Sequence, residues 1–242
     1  MTTHWSAVTS DPNSRIARQV RQREVAAAYR PSVESRLAYF ADASRGATVL
    51  NLGCVDQVPD GYQIAPLHRR LAAVAARCVG VDVDRAGIAA LLGEGFEVLY
   101  ADATDPGFVS EMPCRFDVVI AGEIIEHLVD PGGMLANTRR VLEPGGRLLL
   151  SAPNPYWMAV AVGETLGWYS GNVDHVADYR PYGMAELAAR TGFELTAWRG
   201  EANPAFWKGN RRPFHWLARA VGVVNPHAIA DCGSIIYELA VR

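Results

Sequence analysis

The chain has 242 residues, half of them apolar and a fifth of them charged. This composition is ordinary for a soluble globular protein with one main domain, and a core of this size needs no disulfide or structural metal for stability. The formal net charge of -3 excludes a global positive field that would hold a nucleic acid or an anionic bilayer.

The spacing of the cysteines and the length of the apolar runs indicate the cellular compartment of the protein. Cys54, Cys78, Cys114 and Cys232 lie far apart and form no CxxC pair, and the N-terminus has no basic start followed by an apolar run. The most apolar long stretch, 156–169, is shorter than the roughly 18 to 20 residues that cross a membrane. We therefore expect a reduced, cytoplasmic protein without a membrane span.

Arginine-rich sequence occupies the first part of the chain. Apolar residues recur at helical spacing among the arginines of 14–29, which predicts an amphipathic helix that Pro31 ends. A second short helix is predicted over 32–41. The pattern changes near residue 46, so we predict an N-terminal helical cap over 1–45 and a single globular unit over 46–242.

Short apolar runs alternate with Ala-rich segments after this boundary. The predicted strands are 48–52, 78–82, 97–100, 116–121, 147–151, 193–198 and 234–241, and the predicted helices are 67–76, 85–92, 132–142 and 184–191. The segment 144–146, Pro-Gly-Gly, is predicted to be the turn between a helix and a strand. Buried strands separated by helices predict a doubly wound α/β fold, with a mostly parallel sheet covered on both faces.

Polar or small residues follow four of the predicted strands. Ligands of an open parallel sheet bind beyond the carboxyl ends of the strands, so these positions are the first candidates for a site. They are Asn51, Gly53 and Cys54 after the first strand, Asp82 and Val83 after the second, Asp102 and Ala103 after the third, and Glu123, Glu126 and His127 after the fourth.

These segments, in this order, resemble the motifs of the class I S-adenosylmethionine-dependent methyltransferases. The resemblance rests on 49–54, 79–82, 100–103, 116–128 and 141–146. It implies a seven-stranded Rossmann-like fold and S-adenosylmethionine as the cofactor. The cofactor-binding residues that it implies are Asn51, Gly53, Cys54, Asp82, Val83, Asp102, Ala103 and Glu123.

Individual roles follow from the chemistry of that cofactor. Asp82 can accept hydrogen bonds from both ribose hydroxyls; its alternative role, capping the next helix, suits Asp84 better. Asp102 can accept from the adenine amine while the Ala103 amide donates to the ring, or it can be a plain turn aspartate. Gly53 would let the backbone approach the cofactor closely.

The glycine motif departs from the family pattern. The family has an acidic residue and three alternating glycines, whereas 51–57 reads NLGCVDQ, with one glycine and an amide in place of the acid. We expect the following loop, 55–64, to hold the methionine end of the cofactor instead. The same departure leaves open a degenerate binding module that has lost cofactor affinity.

His127 and His175 are the predicted catalytic residues. Histidine titrates near neutral pH, so His127 suits a general base, although it could merely bond a loop carbonyl. On a helical turn, Glu123, Glu126 and His127 would share one face and could hold a divalent metal with His175 as a fourth ligand. This pattern resembles that of metal-assisted RNA 2′-O-methyltransferases and some quinone-ring O-methyltransferases. The alternative is that these residues only shape the site and bind no metal.

The predicted reaction is methyl transfer to a hydroxyl, or less readily an amine, of a small molecule such as a sugar or natural-product intermediate. Residues of the loop after the fifth strand are candidates for an aromatic acceptor pocket, or for a plain hydrophobic cover of the sheet: Asp174, His175, Tyr179 and Tyr182, with Tyr156, Trp157, Trp168 and Tyr169. The segment 206–216 is a candidate for a lid or a substrate wall. The alternative acceptor is an RNA held by Lys208, Arg211 and Arg212, which the net charge disfavours. The sequence does not indicate an oligomeric state.

Overall fold

A computed structural model describes residues 4–56, 63–64, 66–169, 171–203, 218, 220–221 and 229–242. Its α-helices are α1 (Arg15–Ala28), α2 (Arg36–Ala43), α3 (Pro66–Val74), α4 (Arg85–Gly93), α5 (Phe108–Glu111), α6 (Pro131–Val141), α7 (Met158–Thr165) and α8 (Pro181–Arg190). Its strands are β1 (Thr48–Leu52), β2 (Val55–Asp56), β3 (Gln63–Ile64), β4 (Arg77–Asp82), β5 (Val98–Tyr100), β6 (Phe116–Gly122), β7 (Leu142–Pro153), β8 (Phe193–Glu201) and β9 (Ser234–Val241). Short 3₁₀ turns cover Trp5–Ala7 and Ile125–His127.

Seven of these strands form one sheet in the order β5-β4-β1-β6-β7-β9-β8. The pairs from β5 to β7 are parallel, and β9 runs antiparallel to both β7 and β8. The prediction of a doubly wound, mostly parallel α/β sheet is confirmed. Strand order reverses between β1 and β6, which places the ligand crevice of such a fold beyond their carboxyl ends.

Alternate residues of the central strands face two separate hydrophobic cores. Leu50 and Val79 belong to the larger core on one face, and Val49 and Val118 belong to the core under α2 and α3. The side chains are fully or almost fully buried on both faces, which explains the continuous apolar runs in the sequence.

The N-terminal helices pack on the sheet through specific contacts. The Trp198 indole of β8 donates to the Val25 carbonyl of α1 at 2.7 Å, and Tyr29 forms a bridge to the same strand. Helix α2 begins later than predicted because Ser35 caps it, accepting from the Ala38 amide at 3.2 Å. The division of the chain into an N-terminal helical cap, 1–45, and a single globular unit, 46–242, stays a prediction.

The start of β7 was also predicted wrongly. The predicted turn 144–146 lies inside β7, which starts at Leu142 rather than at Arg147. Leu142 pairs with Phe116 of β6, and the register then shifts before Arg147 pairs with Val118. Pro-Gly-Gly lies in this irregularity, where Gly145 has a left-handed backbone with φ of 84°, so the segment bends the chain within β7 instead of joining a helix to a strand. The predicted lid 206–216 and the loop residues 57–62 lie outside the described residues.

Of the helices in the described ranges, none is both long and apolar enough to cross a membrane.

Candidate active site

The carboxylate of Asp82 stands at the carboxyl end of β4 in a fixed orientation. Its Oδ2 accepts from the Val55 amide at 2.9 Å, and its Oδ1 accepts from the Asp84 amide at 3.0 Å. Asp84, not Asp82, caps α4, by accepting from the Ala86 and Gly87 amides. Each carboxylate oxygen of Asp82 keeps acceptor capacity, because an ionised carboxylate offers about four lone-pair sites.

The segment after β1 makes a tight turn over β4. Gly53 has a left-handed backbone with φ of 69°, and the Gly53 and Cys54 amides both donate to the Val81 carbonyl, at 2.9 and 3.2 Å. The Cys54 side chain is fully buried in the core under α4. These backbone donors are thus engaged within the protein.

Asn51, in β1, contacts α3. Its side chain is fully buried, and its Nδ2 donates to Nδ1 of His68 at 3.2 Å. Burial lowers the pKa of His68 to about 4, so the imidazole is neutral and carries its proton on Nε2. Asn51 Oδ1 and His68 Nε2 have no hydrogen-bond partner within the described residues.

The turn after β5 carries the predicted adenine-binding residues. Asp102 accepts from the Thr104 amide at 2.8 Å and from the Thr104 hydroxyl at 2.7 Å, which is the geometry of an aspartate turn. The carbonyl of Ala103 accepts from Asn137 at 3.0 Å. Val83, after β4, is 58% exposed and leaves an apolar side chain open at this edge. The roles of these residues toward adenine stay predictions.

Arg36 joins the ends of three strands, which sequence reasoning did not foresee. Its guanidinium donates to Ser151 Oγ of β7 at 2.9 Å and lies 3.2 Å from Glu123 Oε1, directly after β6. Its backbone amide donates to Glu201 at the end of β8 at 2.9 Å. Arg36 lies in the second short helix predicted over 32–41, which carries no functional motif, so only the packing of α2 against the sheet reveals this position.

Glu126, His127 and His175 come together beyond β6. One ligand atom from each lies within 4.8 Å of the others. The two imidazole rings meet edge to face with centroids 4.8 Å apart, and His127 Nδ1 is 3.1 Å from Asp174 Oδ2. Burial, with the charge of His127 adding to it, lowers the pKa of His175.

Glu126 is almost completely buried, and neither of its carboxylate oxygens has a hydrogen-bond partner among the described residues. Burial and, secondarily, the Glu123 carboxylate raise its pKa to about 8. The group is therefore mostly protonated at neutral pH until a cation approaches it.

The predicted shared helical face is wrong, because this segment is not an α-helix. Residues Ile125–His127 form a 3₁₀ turn, and Glu123 before it has a left-handed backbone with φ of 55°. Glu123 consequently pairs with Arg36, outside the cluster of three. His175, predicted as a distant contributor, does reach the cluster.

A family model described as a methyltransferase domain matches residues 20–197, more than half of the chain. The chain belongs to this methyltransferase family. Its seven-stranded sheet is also the fold of the solved methyltransferase structures described below.

Named relatives of this methyltransferase include ubiquinone biosynthesis O-methyltransferases. The protein of Pseudomonas paraeruginosa is 32% identical over 127 residues, and that of Pseudomonas putida is 30% identical over the same length. Both matches cover 49% of this chain and 51% of the relative. The methyltransferase thus spans about half the length of the relatives it matches.

Solved structures share the fold at low sequence identity. A SAM-dependent methyltransferase from Archaeoglobus fulgidus has a TM-score of 0.60 at 15% identity, with 90% of this chain and 93% of that chain covered. Magnesium protoporphyrin IX methyltransferase from Synechocystis, solved with bound SAH, has a TM-score of 0.55 at 16% identity, with 99% and 93% covered.

The described residues of the methyltransferase fit its cofactor. Unpartnered buried polar atoms are costly in a protein, and several lie near the reversal point of the strand order: Asn51 Oδ1, both Glu126 oxygens and Arg36 Nε. The Asp82 carboxylate and the exposed Val83 add a polar and an apolar contact at the neighbouring strand end. These groups match a ligand with hydroxyl, charged and aromatic parts.

Proposed function

We propose that this methyltransferase transfers a methyl group from S-adenosylmethionine to a hydroxyl of a small molecule, with an amine as the less favoured acceptor. The pairing of His127 with Asp174 beside the carboxyl end of β6 carries the proposal. In this proposal the pair provides a proton acceptor at the sheet edge that carries the proposed cofactor residues.

His127 has the hydrogen bonding of an oriented general base. Asp174 accepts from Nδ1–H of the neutral imidazole, which leaves Nε2 as the proton acceptor. Methyl transfer needs mainly alignment of the nucleophile with the methyl carbon and removal of its proton. In this proposal His127 takes the proton, and His175, whose ring packs edge to face against it, fixes its position and contacts the acceptor.

Asp82 is the proposed partner of the ribose hydroxyls, and Asp102 and Ala103 are the proposed partners of adenine. Gly53 and Val83 would line the nucleoside, which the buried Cys54 could meet only through its backbone carbonyl, and Asn51 and Glu123 would lie toward the methionine end. Arg36 is added to this set because its guanidinium reaches the same edge. When bound, the cofactor supplies an electrophilic methyl group on a sulfonium.

A hydroxyl acceptor agrees with the names of the relatives, which are O-methyltransferases. Since only half of each relative is matched, the acceptor itself belongs to the proposal. The test is to incubate the enzyme with methyl-labelled S-adenosylmethionine and pairs of acceptors, one with a hydroxyl and one with an amine. The pairs are catechol and aniline, and a sugar and the corresponding amino sugar. Label in an ether of the hydroxyl acceptor is expected; label only in the amines would contradict the choice of oxygen.

A divalent metal is a second candidate component, favoured by the cluster of Glu126, His127 and His175. One carboxylate and two imidazoles are suitable ligands for several divalent ions, and a bound ion lowers the pKa of a hydroxyl that reaches it. In this second candidate, His127 and His175 would be metal ligands. The ion, instead of His127 acting as a base, would activate the hydroxyl of the acceptor.

If the metal candidate is right, a chelator should abolish turnover, and added magnesium, manganese or zinc should restore it. Glu126→Gln should lower the bound metal measured by elemental analysis, because an amide is a weaker ligand than a carboxylate. Glu24→Gln is the matched control, since Glu24 is also buried but lies on α1. Full activity after chelation would remove the metal and leave His127 as the base.

A further inference from the structure

An open groove lies between α1, α8 and the N-terminal segment, and none of its lining residues belongs to the candidate active site. It encloses about 500 Å³, which is in the range of small-molecule sites. The groove is lined by Trp5, Pro12, Ala17, Arg18, Arg21, Gln22, Tyr182, Glu186 and Arg190. Its walls thus combine aromatic rings with three guanidinium groups and one carboxylate.

The carboxylate of Glu186 holds the groove together. It accepts from the Trp5 indole at 2.9 Å and from Arg190 Nε at 2.8 Å, and it pairs with Arg21 and, at 3.2 Å, with His4. Burial opposes ionisation, but these hydrogen bonds and the charge of Arg21 outweigh it and lower the pKa of Glu186 to about 2. The N-terminal segment, α1 and α8 are therefore fixed to one permanent anion.

Positive charge remains after this pairing. The Arg21 guanidinium pairs with both Glu186 and Glu24. Arg190 contacts Glu186 through its Nε. Arg190 is 72% exposed, and its Nη groups point to no other partner within the described residues. The guanidinium of Arg18 is exposed and makes no ion pair or hydrogen bond there. Both can bind an anion.

The aromatic walls restrict what such an anion can carry. The hydrogen bond to Glu186 fixes the Trp5 ring, and Tyr182 is 47% exposed at the start of α8. Flat rings stack on aromatic side chains and guanidinium groups, and a prearranged site loses little entropy on binding. We propose that this groove is a second binding site, for a small anion attached to a flat aromatic ring, as in an aryl carboxylate or an aryl phosphate.

Calorimetric titration of the full chain, with S-adenosylhomocysteine present in saturating amount, tests the site. The probes are phenyl phosphate and benzoate, with benzamide as the uncharged control and inorganic phosphate as the control without a ring. One site per chain is expected for at least one aryl anion. Equal binding of benzamide, equal binding of inorganic phosphate, or no binding of either aryl anion at millimolar concentration would overturn the proposal.

Matched variants assign the binding to this groove. Arg18→Gln should weaken aryl-anion binding by about five- to tenfold, because it removes a charge-assisted hydrogen bond. Arg15→Gln, on the same helix and exposed but outside the groove, should leave binding within about twofold. Tyr182→Ala should weaken binding of the aryl anion, whereas Tyr169→Ala, which removes a tyrosine that is 62% exposed and lies outside the groove, should not. Equal effects of the paired variants would place the ligand elsewhere and overturn the assignment.

Discussion

Replacement of Asp82 by Ala is expected to weaken the binding of S-adenosylhomocysteine by about a hundredfold or more. A carboxylate that accepts from two ribose hydroxyls makes two charge-assisted hydrogen bonds, each worth about 1.5 to 3 kcal/mol, and about 1.4 kcal/mol corresponds to a tenfold change in affinity. The variant also frees the Val55 amide that Asp82 anchors. Calorimetry with the demethylated cofactor measures the change directly.

Asp84→Ala is the matched control for this variant. Asp84 is two residues away and caps α4, so its loss should cost about 1 kcal/mol of folding stability and leave cofactor affinity within about twofold. Thermal unfolding of both variants separates a folding effect from a binding effect. Unchanged affinity in a folded Asp82→Ala protein would refute the ribose assignment.

Replacement of His127 by Ala is expected to lower kcat by about a hundred- to ten-thousandfold, the usual contribution of general acid-base catalysis. Affinity for S-adenosylhomocysteine should stay nearly constant, because the proposal assigns His127 to the acceptor and Asp82 to the cofactor. The split between kcat and cofactor affinity is the signature of the proposed role.

Asp174→Asn provides the graded comparison for His127. The asparagine keeps the size of the side chain but removes its charge; because Asp174 is 72% exposed and solvent screens that charge, a smaller loss in kcat is expected than for His127→Ala. Steady-state kinetics with labelled cofactor distinguishes the two. A fully active His127→Ala enzyme would remove this residue from the mechanism.

Much of the fold could be predicted because the central strands are buried on both faces. The observed bounds of β1 and β9 match the predicted ones, since each is an apolar run with a clear start and end. The start of β7 at Leu142 could not be read from local sequence, because Leu142 pairs with Phe116 on the far side of the bend that Pro-Gly-Gly makes.

The candidate site was predictable in part. Topology alone brings Asp82 and the residues after β6 to one edge, so strand-end reasoning found them. Arg36 and Glu201 reach the same edge from elements whose placement depends on packing across the sheet, and neither has a local motif. The left-handed Glu123 was missed because a non-glycine residue in that conformation is uncommon and the spacing suggested a helix.

The direct test of the account is calorimetric titration of the purified chain with S-adenosylmethionine and with S-adenosylhomocysteine. We predict saturable heat with one site per chain for both, accompanied by stabilisation of about 2.7 kcal/mol at a hundredfold excess of ligand over the dissociation constant. A folded protein that gives neither heat nor a thermal shift with either ligand would contradict the assignment of the strand-edge site to this cofactor.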